Sequence, residues 1–176
     1  MQQLALIILF ASVMTPTSLF NFTSSTDIKT WNIVDDVVMG GRSSGTFTLN
    51  EDGHGVFAGN VSLENNGGFS SVRHKLDITP IDGATTVVLK VRGDGKKFQF
   101  RIKTNARDYY SYIAIFDTNT EWQEIQIPLE EMYPSFRGKK LDQPNFSSDH
   151  IEEIAFLISN KKAESFNLMI DKIELK

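Results

Sequence analysis

The sequence contains no cysteine, which excludes disulfide bonds, thiolate metal sites and cysteine nucleophiles. It also has no excess of basic charge, since the formal net charge is −4, so nucleic acid is not expected as a partner. The three histidines, His54, His74 and His150, are scattered and lack the paired spacing of a metal site. We therefore expect no metal, no cofactor and no catalytic residue.

The N-terminal segment, residues 1–17, differs in composition from the rest of the chain. Residues 4–14 are an apolar run that is too short to span a bilayer comfortably, so no transmembrane span is expected. The run has the length of a signal-peptide core, but no Lys or Arg precedes it. A cleaved export signal and a strand or short helix docked on the domain both remain open. We accordingly expect a soluble protein, either cytoplasmic or exported.

Short segments of alternating apolar and polar residues dominate residues 18–176. The predicted strands cover residues 43–49, 56–63, 69–76, 86–92, 98–103, 110–116, 122–127, 154–158 and 166–173. This pattern has no βαβ rhythm and predicts one all-β domain, a two-sheet antiparallel jelly-roll sandwich. Helix is expected only as short turns at residues 129–132 and 147–153, with Ser148 as a cap and Ile151 and Ile154 facing inward.

Two further expectations concern the core and the loops. Large aromatic residues contribute most of the burial in a small sandwich, and five are predicted to be mainly core: Trp31, Phe57, Phe69, Phe100 and Phe116.

Residues 133–150 form the longest stretch without a strand pattern. A loop of this length in a compact domain is usually functional or packed on itself.

Two glycine-rich connections carry more polar chemistry than a sandwich requires. Residues 35–43 contain two adjacent acids, a glycine pair and an arginine, and residues 64–71 contain an acid, two asparagines and a second glycine pair. Glycine pairs allow close approach of another backbone or of a ligand. Asn and Asp beside them either satisfy local turns or project polar groups outward. A structural role and a binding role therefore both remain open at this point.

Gly41, Ser43 and Gly45 match the G-x-S-x-G motif that surrounds the nucleophile of α/β-hydrolases. The motif requires a helix after the serine, whereas residues 46–49 favour a strand. We therefore interpret the Ser43 hydroxyl as part of a turn or loop network, and the protein as a binding module that is not an enzyme.

Two long motifs resemble a known family. Residues 31–45 (W-x-x-V-D-D-V-V-M-G-G-R-S-S-G) and 56–73 (V-F-x-G-x-V-S-L-E-N-N-G-G-F-S-S-V-R) closely resemble the complex I intermediate-associated protein 30 family. The V-R-G-D-G run at residues 91–95 and the F-R-G run at residues 136–138 also fit. The resemblance covers residues 18–175, nearly the whole chain.

The resemblance implies a galactose-binding-like jelly roll, in agreement with the strand pattern. The mitochondrial members of the family are assembly chaperones of respiratory complex I, so the resemblance favours a chaperone or assembly factor that binds a protein partner. A carbohydrate-binding module is the alternative, because this fold often binds glycans. Stacking on sugars could come from five aromatic residues: Tyr109, Tyr110, Tyr112, Trp122 and Tyr133.

Because both long motifs belong to one domain, we predict that the 35–43 and 64–71 loops meet and form one polar site together with Arg42 and Arg73. Adjacent Asp35 and Asp36 point to opposite faces of an extended backbone, so one carboxylate should turn inward. There it should meet an arginine or backbone amides, since a buried charge needs a partner.

The candidate binding residues are those of the two loops and the arginines that accompany them. They are Asp35, Asp36, Met39, Gly40, Gly41, Arg42, Ser43, Glu64, Asn65, Asn66, Gly67, Gly68, Phe69, Ser70, Arg73 and Arg137. We expect the inner residues to hold the loops together. The rim formed by Arg42, Asn65, Asn66 and Arg137 is expected to make the external contacts.

Overall fold

The structure, a computed structural model, describes residues 16–176, so the predictions for most of the N-terminal segment lie outside the described residues. The strands are β1 (Thr17–Asn21), β2 (Trp31–Asp35), β3 (Ser44–Leu49), β4 (Gly55–Val61), β5 (Ser70–Pro80), β6 (Thr86–Arg92), β7 (Lys97–Lys103), β8 (Ser111–Asp117), β9 (Gln123–Pro128), β10 (Tyr133–Phe136), β11 (Lys139–Lys140), β12 (His150–Ile158) and β13 (Glu164–Leu175). Short 3-10 turns occupy Ile28–Thr30, Asp36–Met39, Glu64–Asn66 and Leu129–Glu131. No helix within residues 16–176 has the length and apolarity needed to cross a membrane.

The strands form two sheets with antiparallel pairing, which confirms the predicted sandwich. The seven-stranded sheet has the order β11-β10-β8-β7-β12-β5-β2. The six-stranded sheet has the order β3-β4-β13-β6-β9, and β1 also pairs with the long strand β13. Strands distant in sequence are therefore neighbours in both sheets, as a jelly roll requires.

The core lies between the inner faces of the two sheets. Strand β7 illustrates the alternation: Phe98, Phe100 and Ile102 are buried in the core, while the residues between them face outward. Phe57 of β4, also fully buried, packs against Phe166 of the neighbouring strand β13, with their ring centroids 4.7 Å apart. Such aromatic pairs in a dry core contribute more than their buried area alone.

The core prediction is confirmed for four of the five aromatic residues and is wrong for Phe69. Trp31, Phe57, Phe100 and Phe116 are all buried. Phe69 is only partly buried and lines a cleft outside the sandwich. It lies in the connection just before β5, where the backbone of Gly68 has a positive φ of 138°. The period-2 pattern of the strand therefore does not extend back to Phe69.

Two local predictions also differ from the structure. Residues 147–153 do not form a helical turn, because β12 begins at His150 and pairs with both β5 and β7. The register shifts between Ile151 and Glu153, and this irregularity lets both Ile151 and Ile154 reach the core with helix-like spacing. Residues 133–150 are not wholly irregular either, since they contain β10 and β11.

Candidate functional site

The side chain of Asp36 is the centre of the contact between the two glycine-rich loops. Its carboxylate accepts hydrogen bonds from the backbone N–H of Ser43 at 2.9 Å and from the Ser43 hydroxyl at 2.5 Å. From the second loop, it accepts the backbone N–H of Gly68 at 2.6 Å and that of Phe69 at 3.2 Å. The structure thus brings the 35–43 and 64–71 loops together around one carboxylate.

This carboxylate is 1% exposed and has no cationic partner within residues 16–176. Burial opposes its charged form, but hydrogen bonds from the Ser43 hydroxyl and from the amides of Gly68, Ser43 and Phe69 outweigh that effect. They hold the pKa of Asp36 below its ordinary value. Of the two partners considered for an inward carboxylate, backbone amides and not an arginine are present.

The backbone near the Asp36 carboxylate leaves no room for a side chain at two glycine positions. A Cβ atom on Gly41 would lie 2.2 Å from Asp36 Oδ1. A Cβ atom on Gly67 would lie 2.6 Å from Asp36 Oδ2 and 2.9 Å from the Ser62 carbonyl oxygen. Any larger residue at either position would push the carboxylate away from the amides that hold it.

Asp35 makes a second, shallower contact. Its carboxylate accepts the backbone N–H of Gly45 at 2.9 Å and the hydroxyl of Ser70 at 2.6 Å, which ties the start of β3 to the start of β5. The two adjacent acids therefore both hold the loops in place, and neither carboxylate is left for an external ligand.

The outer layer of the site is exposed. Asn65 donates its side-chain N–H to the Gly40 carbonyl at 3.0 Å. Arg42 pairs with Glu64 at 3.3 Å, but both side chains are about two-thirds exposed, so the pair contributes little stability. Asn65 and Asn66 have left-handed backbones, with φ of 55° and 60°, which Asn tolerates better than most residues.

Three exposed apolar side chains follow Asp36 in the loop that its hydrogen bonds hold in place. Val37, Val38 and Met39 belong to the 3-10 turn that begins at Asp36, and their exposed fractions are 59%, 74% and 54%. We refer to these three residues as the apolar crest. The crest is held at both ends, because Asp36 anchors its start and Gly40 closes it with a hydrogen bond to the Val37 carbonyl.

Beside the crest lies a cleft of about 400 Å³ on the outer face of the seven-stranded sheet. The candidate residues that line it are Met39, Asn66, Gly67, Gly68, Phe69, Arg73 and Arg137. The other candidate residues do not line the cleft and belong to the loop contacts described above: Asp35, Asp36, Gly40, Gly41, Arg42, Ser43, Glu64, Asn65 and Ser70. Arg73 lies in the cleft and not with Arg42, so the structure does not bring these two arginines together.

The sequence profile of the complex I intermediate-associated protein 30 family matches residues 20–170, which include both loops and the cleft. The chain belongs to this family. The mitochondrial complex I intermediate-associated protein 30 of Drosophila melanogaster is 25% identical over 182 residues, covering 89% of this chain. The chain spans 62% of that relative's length.

Solved structures with a similar fold are carbohydrate-binding modules and domains of larger enzymes. The family 11 module from Clostridium thermocellum, determined with a mixed-linked tetrasaccharide, has a TM-score of 0.68 and 15% identity. The match covers 93% of this chain and 96% of that module. An agarase has a TM-score of 0.61 and 12% identity over 93% of this chain and 24% of the enzyme. These likenesses show that this member of the complex I intermediate-associated protein 30 family has the galactose-binding-like fold.

The sequence did not identify all residues of the cleft. Gln99, Arg101 and Lys103 of β7 line it, together with Tyr109 and Phe136. The alternation in β7 indicates that these three polar residues share one face, but it does not show which strands lie beside them. Of the five aromatic residues considered for stacking, only Tyr109 lines the cleft, whereas Trp122 packs against His54 of the six-stranded sheet region.

Within the described range there is no group of three or more His, Asp or Glu side chains placed to hold a metal ion. All three histidines have local structural contacts, that of His54 being with Trp122. His74 stacks on Trp31 with ring centroids 4.9 Å apart, and burial lowers its pKa. His150 contacts the Asp149 carboxylate at 2.7 Å, and that contact raises the pKa of the histidine.

Proposed function

We propose that this protein is a non-catalytic binding module, a chaperone or assembly factor that holds a protein partner on the apolar crest and the adjoining cleft. The observation that carries this proposal is the exposure of Val37, Val38 and Met39 on a loop whose base is fixed by Asp36. Exposed apolar side chains grouped on one surface are typical of protein interfaces.

The rigidity of the crest supports the same function. A loop that is ordered before binding loses little conformational entropy when a partner docks, so its apolar contacts contribute more of their energy to affinity. The contacts of Asp36 with Ser43, Gly68 and Phe69 supply this order without using any crest side chain. Membership of the complex I intermediate-associated protein 30 family favours an assembly role.

The burial and hydrogen bonds of Ser43 support a non-catalytic function. Its side chain is 1% exposed, and its hydroxyl donates to Asp36 while accepting the backbone N–H of Ser62 at 3.0 Å. A hydroxyl that is buried and already bonded in this way cannot reach a substrate carbonyl.

Photo-crosslinking tests the proposal. A photoreactive amino acid at Val38 should capture one defined protein in cells, and the same amino acid at Ile78 is the matched control. Ile78 is an exposed apolar residue of β5 that does not line the cleft, and its exposed fraction is 69%. With the purified partner, Val38→Asp should weaken binding at least about 10-fold, since it places a charge in an apolar contact. Equal capture from Ile78, or unchanged binding by Val38→Asp, would contradict the proposal.

Carbohydrate binding is a second candidate, and the exposure of Tyr109 favours it. Tyr109 is 61% exposed and lines the cleft, as Gln99 does, so a sugar could stack and hydrogen-bond there. However, no Asp or Glu of the described residues 16–176 lines the cleft to accept hydrogen bonds from sugar hydroxyls. Calorimetry with a mixed-linked β-glucan tetrasaccharide distinguishes the two functions: binding that Tyr109→Ala abolishes would favour the carbohydrate module.

A further inference from the structure

Two arginine side chains line the cleft without a carboxylate partner among residues 16–176. Neither Arg73 of β5 nor Arg101 of β7 forms an ion pair within residues 16–176. Arg101 donates through Nε and Nη2 to the neutral side-chain oxygen of Gln99, at 3.0 and 2.8 Å. The guanidinium of Arg101 is partly buried, so its charge has lost water without gaining an anion.

Strand register places the two arginines on either side of one small residue. Arg73 is the cross-strand neighbour of Ala155 on β12, and Ala155 is in turn the neighbour of Arg101. The backbones of β5 and β7 therefore lie about 10 Å apart across β12. Ala155 is buried and has no side chain beyond Cβ, so the position between the two long cationic side chains carries no acid.

The neighbouring set of cross-strand residues on β5, β12 and β7, two positions along β12, contains an acid between its two cations. There Lys75 is the neighbour of Glu153, and Glu153 is the neighbour of Lys103. The Glu153 carboxylate is buried and lies 3.5 Å from Lys103 Nζ, so an acid compensates the cation in this row. The arginine row repeats the arrangement of two cations, but an alanine occupies the position of the acid.

The electrostatics of the arginine row agree with this geometry. Burial and then the nearby charge of Arg73 lower the pKa of Arg101 to about 10. Both effects disfavour the charged form, and an anion bound to the guanidinium groups would offset them. The cleft thus presents two arginines, and no Asp or Glu among residues 16–176 lines it.

We propose that Arg73 and Arg101 bind a carboxylate from an Asp or Glu side chain in a segment of the protein partner. This inference rests on the proposed function and names the chemistry of the bound segment. Guanidinium groups bind carboxylates through paired, charge-assisted hydrogen bonds. An apolar residue beside the acid would pack on Met39 and Phe69, which line the same cleft.

The surroundings of the arginines favour a peptide acid over an acidic sugar. Aliphatic and aromatic groups border the cleft, including Val34, Val38 and Leu157. These groups match the apolar side chains that can flank an acid in a peptide. In the part of the chain that the structure describes, the cleft offers no carboxylate acceptor for the hydroxyls of a uronic acid. The expected motif is therefore one acid with apolar neighbours.

Selection from a displayed random heptapeptide library on the full chain tests the inference. Selected peptides should be enriched in Asp or Glu next to apolar residues, and their binding should weaken as salt concentration rises. For a labelled selected peptide, Arg101→Gln should raise Kd at least about 10-fold, because a desolvated charge pair is lost. Ala155→Glu, first checked for a native circular dichroism spectrum, should abolish binding, because it supplies an internal acid to the two arginines. Lys75→Gln, in the compensated row, is the matched control and should leave Kd unchanged.

Three results would overturn the inference. The first is that the selected peptides lack acids and that Val38→Asp weakens their binding while Arg101→Gln does not. This result would refute the carboxylate site and leave the proposed protein-binding function intact. Peptides that bind independently of both variants would refute both. Binding of polygalacturonate that Arg101→Gln abolishes, without any acidic peptide selected, would show that the arginines bind an acidic glycan instead.

Discussion

The carboxylate of Asp36 and the backbone amide of Gly68 lie 2.6 Å apart, although 32 residues separate them in the chain. This contact is one of several that join the two loops that the sequence motifs mark as unusual. It also explains why a charged side chain is buried at the edge of an apolar sandwich. The carboxylate replaces water as the acceptor for amides that no strand satisfies.

Asp36→Ala should strongly destabilise the fold. The substitution leaves the amides of Ser43, Gly68 and Phe69 without their acceptor, and each buried unsatisfied group costs about 1–3 kcal/mol. We expect the free energy of unfolding, measured by urea titration, to fall by about 3–5 kcal/mol. Glu64→Gln is the control and should change it by less than about 0.5 kcal/mol, since that acid forms only an exposed pair. A loss below about 1 kcal/mol for Asp36→Ala would contradict the role of the carboxylate.

The same carboxylate should make stability depend on acid pH. The pKa of Asp36 is lower in the folded state than its ordinary value of 3.8, so the unfolded chain binds the proton more readily. The stabilisation is therefore fully present well above pH 3.8 and is lost as pH falls through the folded-state pKa. Urea midpoints measured from neutral to strongly acid pH should fall less steeply for Asp36→Asn than for the wild type. Parallel curves would show that another group controls the acid transition.

Gly41→Ala should destabilise the site by steric collision alone. Gly41 does not have a positive φ, but its Cβ would lie 2.2 Å from Asp36 Oδ1. We expect thermal unfolding to show a loss of about 3 kcal/mol, at the upper end for overpacking. Gly95→Ala separates backbone strain from collision, because Gly95 has a φ of 85° and open space around it. That control should cost only about 1 kcal/mol. Equal losses would mean that the Asp36 side chain moves aside at little cost.

Asn66→Gly should reduce partner binding without reducing stability. Asn66 lines the cleft and has a φ of 60°, a conformation that Gly adopts without strain. We therefore expect an unchanged melting temperature and a weaker interaction with the partner identified by crosslinking from Val38. Asn66→Ala is a poorer test, because Ala in the left-handed region costs about 1 kcal/mol by itself. Unchanged affinity for Asn66→Gly would remove this side chain from the binding surface.

Much of this molecule follows from the sequence alone. Alternation of apolar and polar residues predicted the strands and hence the sandwich, because a half-buried strand must show period 2. The adjacent acids and glycine pairs indicated that two loops meet, since a buried carboxylate needs donors and close backbone approach needs glycine. These features depend on local chemistry, which a sequence displays directly.

Only the tertiary structure decided which strands are neighbours, and the cleft depends on that choice. Alternation indicates that Arg73 and Arg101 face outward, but not that Ala155 lies between them, because β5, β7 and β12 are paired by long-range packing of the core. The same limit explains Ile151 and Ile154, whose spacing reflects a register shift that no local pattern reveals. A strand's sequence determines its faces, whereas its neighbours are set by the burial of all the other strands.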